Sequence, residues 1–578
     1  MSSFLPGLVL ALGGATMLVL PARIRPVMMV AAFGLAVLQL VVFLDLDATW
    51  EAQWLGFDLM PLRVDALSLA FGSVFAIIGL LGSVYALHMR DRHQQAAVLF
   101  LGSGSLGVVF AGDLLTLVVF WEIMALASPY LINRGGRPDS RAAAMRYLFV
   151  HVVGGAFLLA GVLWHFADTG SLLFEGFGGG GAAWLILIGF AVNAAIPPLH
   201  AWLADAYPEA SASGAVFLSA FTTKTAVYVL LRGFAGWEIL IIFGTVMALY
   251  GVVYAVLEND IRRLLAYHII SQVGFMVAAA GIGTYEAIEG ATAHAFAHVL
   301  YKGLMIMATG AVMTTTGTTK MTELGGLAPR MKAVFTLYMV GAFSISAVPL
   351  FAGFVSKTLV TDAAVADGHQ VAAFMLYVAS VGTFLHTGLK LPYFTWFGSR
   401  RTTPVALIDK APAGMYVGMA GAAALCIAIG LFPQAFYDFV NFTGHYSVYK
   451  DAKIIHTLEL LVFTALGFWL LIDVLKPKDK ASLDTDWPYR NAAKPVRALV
   501  QEPLERIFFT ADRAKDAVVA WTTLAASSPE TALHRLPLGN GVRRVAVAAL
   551  SRPPLAAAIG ALLLTFGLLI VIVVLRAT

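Results

Sequence analysis

Titratable side chains interrupt the long apolar stretches of this sequence. They are Glu122, Lys224, His294, His298, Lys302, Lys357, His386 and Lys390. A charge near the centre of a membrane helix costs about 2.5 to 3.5 kcal/mol on insertion scales, so each such residue is a functional-site hypothesis. Glutamate, lysine and histidine can change protonation state under burial or a neighbouring charge, whereas arginine stays protonated. These residue types predict proton transfer along a buried series, and the alternative for a single residue is a structural charge paired with a neighbour.

The spacing of the histidines adds a geometric expectation. His294, His298 and Lys302 are four residues apart, which places them on one stripe of a helix, and His386 and Lys390 are also four apart. A helical metal pair has the same spacing, but HAFAH lacks the glutamate that follows the first histidine of a zinc peptidase. Haem ligation by membrane histidines is a second alternative. Proton transfer remains the favoured interpretation, and we predict no metal and no cofactor.

Composition excludes several classes of protein. Of the 578 residues, 59% are hydrophobic and 12% charged, and the mean hydropathy is +0.81, whereas soluble domains have about 25% charged residues. The net charge of +4 comes from 38 basic and 34 acidic residues along the whole chain, which argues against nucleic-acid binding. Cys426 is the single cysteine, so this polypeptide cannot supply a disulfide or a thiolate cluster. A water-soluble enzyme is therefore excluded.

Apolar stretches of bilayer-spanning length recur almost from end to end. They predict an all-α polytopic membrane protein with about 14 to 16 spanning helices. Arginines such as Arg90, Arg137 and Arg262 occur in alternate loops, and acidic residues such as Asp45 and Glu286 occur in the loops between them. Because basic residues accumulate on the cytoplasmic side, we predict a multi-pass protein of the inner (plasma) membrane with both termini on the non-cytoplasmic side.

Two predicted helices contain breaks, five helices apart. The first contains Pro197 and Pro198, and the second contains Pro349 and Gly353. Because five is odd, a five-helix repeat must be inverted in the membrane, an arrangement typical of transporters. The predicted organisation is helices one to three at 1–93, a first inverted repeat at 94–236, a second at 237–400, two helices at 401–475, an interfacial amphipathic or solvated cytoplasmic segment at 476–554, and a last spanning helix at 555–578.

Several stretches resemble the proton-translocating antiporter-like subunits of Mrp-type Na+/H+ antiporters and respiratory complex I. They are AGDLLTLVVFWEIMALASPYLI, AAIPPLHAWLADAYPEA, FLSAFTTKTAVYVLLR, ENDIRRLLAYHIISQVGFM, HAFAHVLYKGLMI and VPLFAGFVSK. Their order and spacing make the resemblance specific over about residues 60 to 400. Within this family the chain looks most like the D-type subunits of Mrp antiporters.

The resemblance implies roles for individual positions. Glu122 would be the essential acid of helix five, Lys224 the lysine of helix eight, and Lys357 the terminal lysine of the second half-channel. His294, His298 and Lys302 would form the central relay. One position departs from the family pattern, because Asn193 stands where the family usually has a lysine paired with the helix-five glutamate. Asparagine carries no charge, so either Lys224 becomes the partner of Glu122 or the first half-channel no longer conducts.

Three functional hypotheses follow. The first is an integral subunit of a multisubunit cation/proton antiporter that moves H+ in exchange for Na+, alongside other membrane subunits in the lipid bilayer. The second is a non-redox, proton-pumping subunit of a complex I-like NADH:quinone oxidoreductase or a membrane-bound hydrogenase. The third is a structural subunit that has lost conduction at Asn193. The chain shows no nucleotide-binding loop, so energy would come from an ion gradient or a partner.

Overall fold

A computed structural model describes residues 5–43, 45–398, 407, 410–444, 446–479, 484, 485 and 487. The α-helices in this part of the chain are α1 Pro6–Met17, α2 Arg25–Leu38, α3 Ala66–Tyr85, α4 Arg92–Phe110, α5 Leu114–Asn133, α6 Ser140–Thr169, α7 Gly181–Ala194, α8 Ala201–Ala206, α9 Gly214–Gly233, α10 Ile239–Leu257, α11 Ile261–Ile282, α12 Tyr285–Thr316, α13 Lys332–Ile345, α14 Ala352–Ala366, α15 Gln370–Thr383, α16 Ala413–Leu431, α17 Pro433–Phe439, α18 Asp451–Leu470 and α19 Ile472–Leu475. Short π-helical segments cover Gln39–Phe43, Phe384–Lys390 and Tyr393–Phe397.

A β-hairpin precedes α3 and was not predicted. Strands β1 Thr49–Trp54 and β2 Phe57–Arg63 pair antiparallel across a two-residue turn at Leu55 and Gly56. Both turn residues have positive φ, 51° and 82°, as the tight turn of a twisted hairpin requires. The turn is difficult to predict from the sequence because leucine rarely adopts a positive φ.

The outer helices expose apolar side chains. Ten candidate spans in the described part of the chain are long and apolar enough to cross a membrane. Phe149 of α6 and Phe463 of α18 are each 69% exposed, and a contiguous apolar surface of this kind is rare in water but ordinary in lipid. The all-α, multi-pass membrane architecture expected from the sequence is confirmed.

The core of the molecule is built around α9, α11 and α12, whose residues are nearly all buried. Glycines bring the neighbouring α10 against α11. A methyl group on Gly244 would lie 2.2 Å from the backbone nitrogen of Ala278, and one on Gly251 would lie 2.5 Å from that of Ser271. Small residues of this kind allow close helix packing in a membrane, where association depends on van der Waals contact. These glycines therefore allow α10 to pack closely against α11 of the core.

Both predicted helix breaks are present. The first separates α7 from α8 at 195–200, and the second separates α13 from α14 at 346–351. A non-glycine residue with positive φ ends the first helix of each pair, Ala195 at 57° and Ala347 at 56°. The inverted relation of the two five-helix units and the domain boundaries stay predictions. The helix predicted at 555–578 and nearly all of 476–554 lie outside the described residues.

Candidate functional site

The titratable residues singled out in the sequence all lie in the protein interior. Lys224, His294, His298 and His386 have no exposed surface, Lys302, Lys357 and Lys390 are at most 2% exposed, and Glu122 is 9% exposed. None faces lipid, although several sit at the middle of spanning helices. Because an isolated buried charge is costly, each of these groups needs a polar neighbour or a neutral state. The neighbours define what each group can do.

Helix α12 positions the central residues. It starts after Thr284, whose hydroxyl accepts a hydrogen bond from the Ala287 N–H, and ends at Gly317 in the left-handed conformation. The rings of His294 and His298 lie 6.1 Å apart between centroids. The Nδ1 of His294 lies 3.4 Å from the Ser356 hydroxyl on α14. The stripe predicted from i, i+4 spacing is therefore formed, and its first member reaches the second broken helix.

Lys302 forms the clearest pair of titratable groups. Its Nζ lies 3.1 Å from Nδ1 of His268 on α11, and Nε2 of His268 lies 3.2 Å from the Thr383 hydroxyl. A charged lysine can only donate, so Nδ1 accepts and the neutral ring carries its hydrogen on Nε2. The ring of His268 also meets His386 edge-on, 4.7 Å between centroids. Nδ1 of His268 can therefore accept a proton from Lys302. The other ring nitrogen, Nε2, faces a second polar group, the Thr383 hydroxyl.

His268 was not among the residues selected from the sequence. It lies inside the quoted stretch LLAYHIISQ, and the rule that selected His294, an ionisable residue within a spanning helix, would also have selected it. Its position between Lys302 and His386 joins two groups that are 84 positions apart in the chain. The structure therefore adds His268 to the candidate site.

Lys357 and Lys390 are held by carbonyl groups at helix ends. Lys357 Nζ donates to the Ile345 carbonyl at 3.3 Å, an acceptor left free where α13 breaks, and it lies 4.8 Å from the centroid of the Phe275 ring. Lys390 Nζ donates to the carbonyls of Val256 and Glu258 at the end of α10. Helix C-termini attract cations. The ammonium groups of both lysines therefore have carbonyl oxygens as hydrogen-bond acceptors and do not depend on a carboxylate.

A cavity of about 40 Å³ adjoins Lys357. Thr361, Tyr377, His456 and Thr464 are among the side chains that line it. Its volume is sufficient for a water molecule, and its hydroxyl and imidazole groups are suitable hydrogen-bond partners for water. Lys357 can therefore exchange protons with water on the side that faces α15 and α18.

His386 and Lys390 both lie in the π-helical segment Phe384–Lys390, where the backbone hydrogen bonds run from i to i+5. The two side chains have different partners. His386 faces His268, whereas Lys390 reaches the end of α10. Such segments are common at functional sites in membrane and soluble proteins.

Glu122 of α5 and Lys224 of α9 do not meet. Lys224 Nζ donates to the Ser219 carbonyl at 2.8 Å and to the Thr223 hydroxyl at 3.0 Å. Among the described residues, Oε1 of Glu122 and both amide atoms of Asn193 have no hydrogen-bond partner. Burial of unsatisfied polar atoms is costly, and internal water is the usual remedy. Oε1 of Glu122 and the amide of Asn193 are therefore candidate contacts for internal water.

A second group missed in the sequence analysis lies at the first break. Asp484 is buried, and its carboxylate accepts hydrogen bonds from the hydroxyls of Tyr250 and Tyr267, with Nε2 of His200 at 3.2 Å. Burial raises the pKa of Asp484, but the hydrogen bonds from His200 and the two tyrosines outweigh it and hold the pKa below its usual range. Asp484 follows His200 by 284 positions, so no local pattern indicates this contact.

The comparisons with known proteins agree on one family. Residues 111–384 match the model described as NADH:quinone oxidoreductase/Mrp antiporter, TM. The N-type subunit of the NADH-quinone oxidoreductase of Desulforudis audaxviator is 32% identical over 366 residues, 58% of this chain and 72% of that protein. The D-type subunit of the Na(+)/H(+) antiporter of Alkalihalophilus pseudofirmus is 30% identical over 326 residues, 53% of this chain and 66% of that protein.

Hydrogenase-4 component B of Escherichia coli K12 is 29% identical over 422 residues and 64% of this chain. The chain spans just under two thirds of that component and of an uncharacterised Mycobacterium tuberculosis relative, 62% and 66% of their lengths.

Solved structures share the fold. A chain of the Mrp complex from a Dietzia species superposes with a TM-score of 0.67 at 23% identity, covering 79% of this chain and 99% of that one. A chain of the archaeal membrane-bound sulfane sulfur reductase superposes with a TM-score of 0.71 at 22% identity, covering 99% of this chain and 100% of that one. The chain therefore belongs to the NADH:quinone oxidoreductase/Mrp antiporter family of membrane subunits.

Proposed function

We propose that this protein is an integral subunit of a multisubunit Na+/H+ antiporter and conducts protons through its buried Glu, Lys and His series. The hydrogen bond between Lys302 and His268, with His386 beside it, is the observation that carries the proposal. A lysine and a histidine that share one hydrogen bond inside a membrane can exchange a proton without moving a charge into lipid. Similarity to the D-type subunit of a Na(+)/H(+) antiporter supports Na+ as the cation that is exchanged for protons.

His268 can transmit a proton because its two nitrogens face different groups. A proton that passes from Lys302 to Nδ1 leaves a neutral lysine and an imidazolium with N–H groups on both sides. The second N–H faces the Thr383 hydroxyl, so the ring can release a proton there, toward His386. Uptake on one nitrogen and release from the other moves one proton across the ring.

The flanking lysines couple the two repeats electrostatically. A charge on Lys224 repels a proton on His298 or Lys302, and a charge on Lys357 repels a proton on His294 or His298. In a low-dielectric interior such repulsion acts over several ångströms. A proton that reaches Lys224 or Lys357 therefore drives redistribution along α12.

Several further assignments accompany this proposal. The chain lies in the plasma membrane with both termini on the non-cytoplasmic side, and its repeats are 94–236 and 237–400. Its partners are other membrane subunits, as the solved relatives are parts of multisubunit complexes.

A second candidate function has specific support. Similarity to hydrogenase-4 component B and to the N-type subunit of NADH-quinone oxidoreductase favours a proton-pumping, non-redox subunit of an oxidoreductase. Purification of the native complex separates the two candidates. Small antiporter subunits are expected with this chain, and iron-sulfur or quinone-binding subunits would favour the second function.

The decisive experiment measures exchange in everted vesicles that contain the complete complex. We expect Glu122→Gln and Lys302→Met to reduce Na+-dependent proton release at least about 100-fold, the range of a lost proton-transfer group. The matched control is Lys450→Met, because Lys450 is an exposed lysine outside the buried series. Wild-type exchange by both buried variants, at equal complex content, would refute proton conduction by this chain.

A further inference from the structure

His151 of α6 is a buried histidine in the first repeat that the series described above does not use. It is 1% exposed. Its ring stacks on Tyr147, 3.7 Å between centroids, and meets Trp202 edge-on at 4.5 Å. Nδ1 lies 2.9 Å from the carbonyl oxygen of Tyr147. Because a carbonyl can only accept, Nδ1 carries the hydrogen, and the basic lone pair of the neutral ring is on Nε2.

Nε2 of His151 has no hydrogen-bond partner among the described residues. It shares this condition with Oε1 of Glu122 and with the amide of Asn193, so α5, α6 and α7 each contribute an unsatisfied polar group. Buried groups of this kind are normally satisfied by internal water. Three of them in adjacent helices indicate a hydrated region.

The helix geometry places these groups in the same region. Gly155 is one turn from His151 on the same face of α6, and a methyl group on Gly155 would lie 2.0 Å from Oε1 of Glu122. One turn of helix corresponds to about 5.4 Å, a gap that one or two waters bridge. On α7, Phe190 packs on Trp121, the neighbour of Glu122, at 5.1 Å, and lies one turn before Asn193.

Tyr147 of α6 also reaches toward α9, the helix that carries Lys224. The hydroxyl of Tyr147 faces Ser128 of α5 and Thr222 of α9. The next residue, Thr223, accepts a hydrogen bond from Lys224 Nζ at 3.0 Å.

Asp205 of α8 is also buried near this region, but it is paired with Arg146 at 2.6 Å, whereas Oε1 of Glu122 has no partner among the described residues. Glu122 on α5 and Lys224 on α9 are therefore the groups that water must join to Nε2 of His151.

We propose that His151 carries protons between Glu122 and Lys224 and so supplies the titratable group of the first half-channel that Asn193 cannot provide. This inference rests on the proposed function. The Glu122 carboxyl gives its proton through water to Nε2, which produces a carboxylate and an imidazolium. The imidazolium then gives a proton through water to the neutral amine of Lys224. Nδ1–H stays bonded to the Tyr147 carbonyl throughout, and Asn193 holds the intervening water.

The test is His151→Gln in the complete complex, assayed for exchange in everted vesicles and normalised to assembled complex. Glutamine retains an N–H donor for the Tyr147 carbonyl but cannot take up a proton. We expect exchange to fall at least about tenfold, toward the loss seen when a proton-transfer group is removed. The matched control is His165→Gln on the same helix, a partly exposed histidine that packs on Phe177 at 5.4 Å, which should retain wild-type exchange.

A rescue variant separates proton transfer from packing. In the double variant His151→Gln/Asn193→Lys, a titratable amine returns to the hydrated region while the altered packing remains, so we expect recovery of at least half the wild-type rate. Full exchange by His151→Gln, or no recovery in the double variant, would overturn the role of His151. Glu122→Gln is measured in parallel. If it too retains full exchange, the proposed function fails, whereas if it abolishes exchange the failure concerns His151 alone.

Discussion

The two helix breaks have a similar backbone path, but different side chains donate to a carbonyl beside each break. At the first break the indole N–H of Trp202 donates to the Val192 carbonyl at 2.8 Å, and at the second the ammonium of Lys357 donates to the Ile345 carbonyl at 3.3 Å. The Val192 carbonyl also accepts from the Ala195 N–H at 3.1 Å, whereas the Ile345 carbonyl would face Pro349, which has no N–H, in a continued helix. The indole cannot release its proton and the ammonium can, so the second break is itself a titratable site. In the first repeat that property belongs to neighbouring helices.

The breaks also differ in the later segments that contact them. At the first, Asp484 accepts hydrogen bonds beside His200, and the hydroxyl of Thr485 donates to the Pro198 carbonyl at 3.4 Å. At the second, the Leu350 N–H donates to the hydroxyl of Tyr449 at 3.2 Å. A charged contact thus secures the first break and a neutral one the second. The same irregular backbone can be stabilised with or without an ionisable group.

The comparison predicts the largest effect at Lys357. Lys357→Met removes the proton carrier, and Lys357→Arg keeps the charge and the donor but cannot release its proton. We expect both variants to lose exchange about 100-fold or more in everted vesicles. Trp202→Phe removes a donor that never titrates, and the Val192 carbonyl keeps the Ala195 N–H. It should therefore lower the free energy of unfolding by about 0.5 to 1.5 kcal/mol while exchange stays within about threefold. Activity in Lys357→Arg would show that the lysine only satisfies the carbonyl.

Gly353 provides a second test, of intermediate size. A methyl group at Gly353 would lie 1.6 Å from the Ser344 carbonyl oxygen, so α13 and α14 would have to separate. The first break has Ala201 at the start of α8. We expect Gly353→Ala to cost about 1 to 3 kcal/mol or more and to reduce the amount of folded protein, measured by fluorescence-detected size exclusion. Ala201→Gly makes the reverse change at the first break and should cost only about 0.5 to 1 kcal/mol, the helix-propensity difference. A cost at Gly353→Ala no larger than this would contradict the clash with Ser344.

Asp484→Asn should have the smallest effect. Asparagine keeps one acceptor oxygen but loses the charge that favours hydrogen bonds from His200 and the tyrosines. We expect a loss of about 1 kcal/mol of stability at pH 7, measured by thermal unfolding of the complex. Because the pKa of Asp484 is lowered on folding, its contribution is complete above the unfolded value of about 3.9 and declines as the pH falls through the folded value. The difference from wild type should therefore shrink as the pH is lowered from about 5 to about 3, and a difference that stays constant over that range would contradict the assignment.

Much of the candidate site could be predicted because its signals are local. A charge within an apolar stretch, a four-residue spacing and a proline pair are readable without tertiary contacts, and they indicated α12, both breaks and the buried lysines. The hairpin at Thr49–Arg63 was missed because Leu55 is an unusual turn residue. His268 was missed although its signal was present, since it satisfies the same rule as His294.

The amino-acid sequence by itself determined that this chain spans a membrane, that two of its helices break, and that ionisable groups lie within apolar segments. Hydropathy and backbone chemistry depend on neighbours along the chain, so they can be read from it. The tertiary structure decided which groups meet: Lys302 with His268, Asp484 with His200, and Lys224 with neutral oxygens instead of Glu122. Those pairings depend on how helices distant in sequence pack and which way each side chain points, and neither is encoded in local spacing.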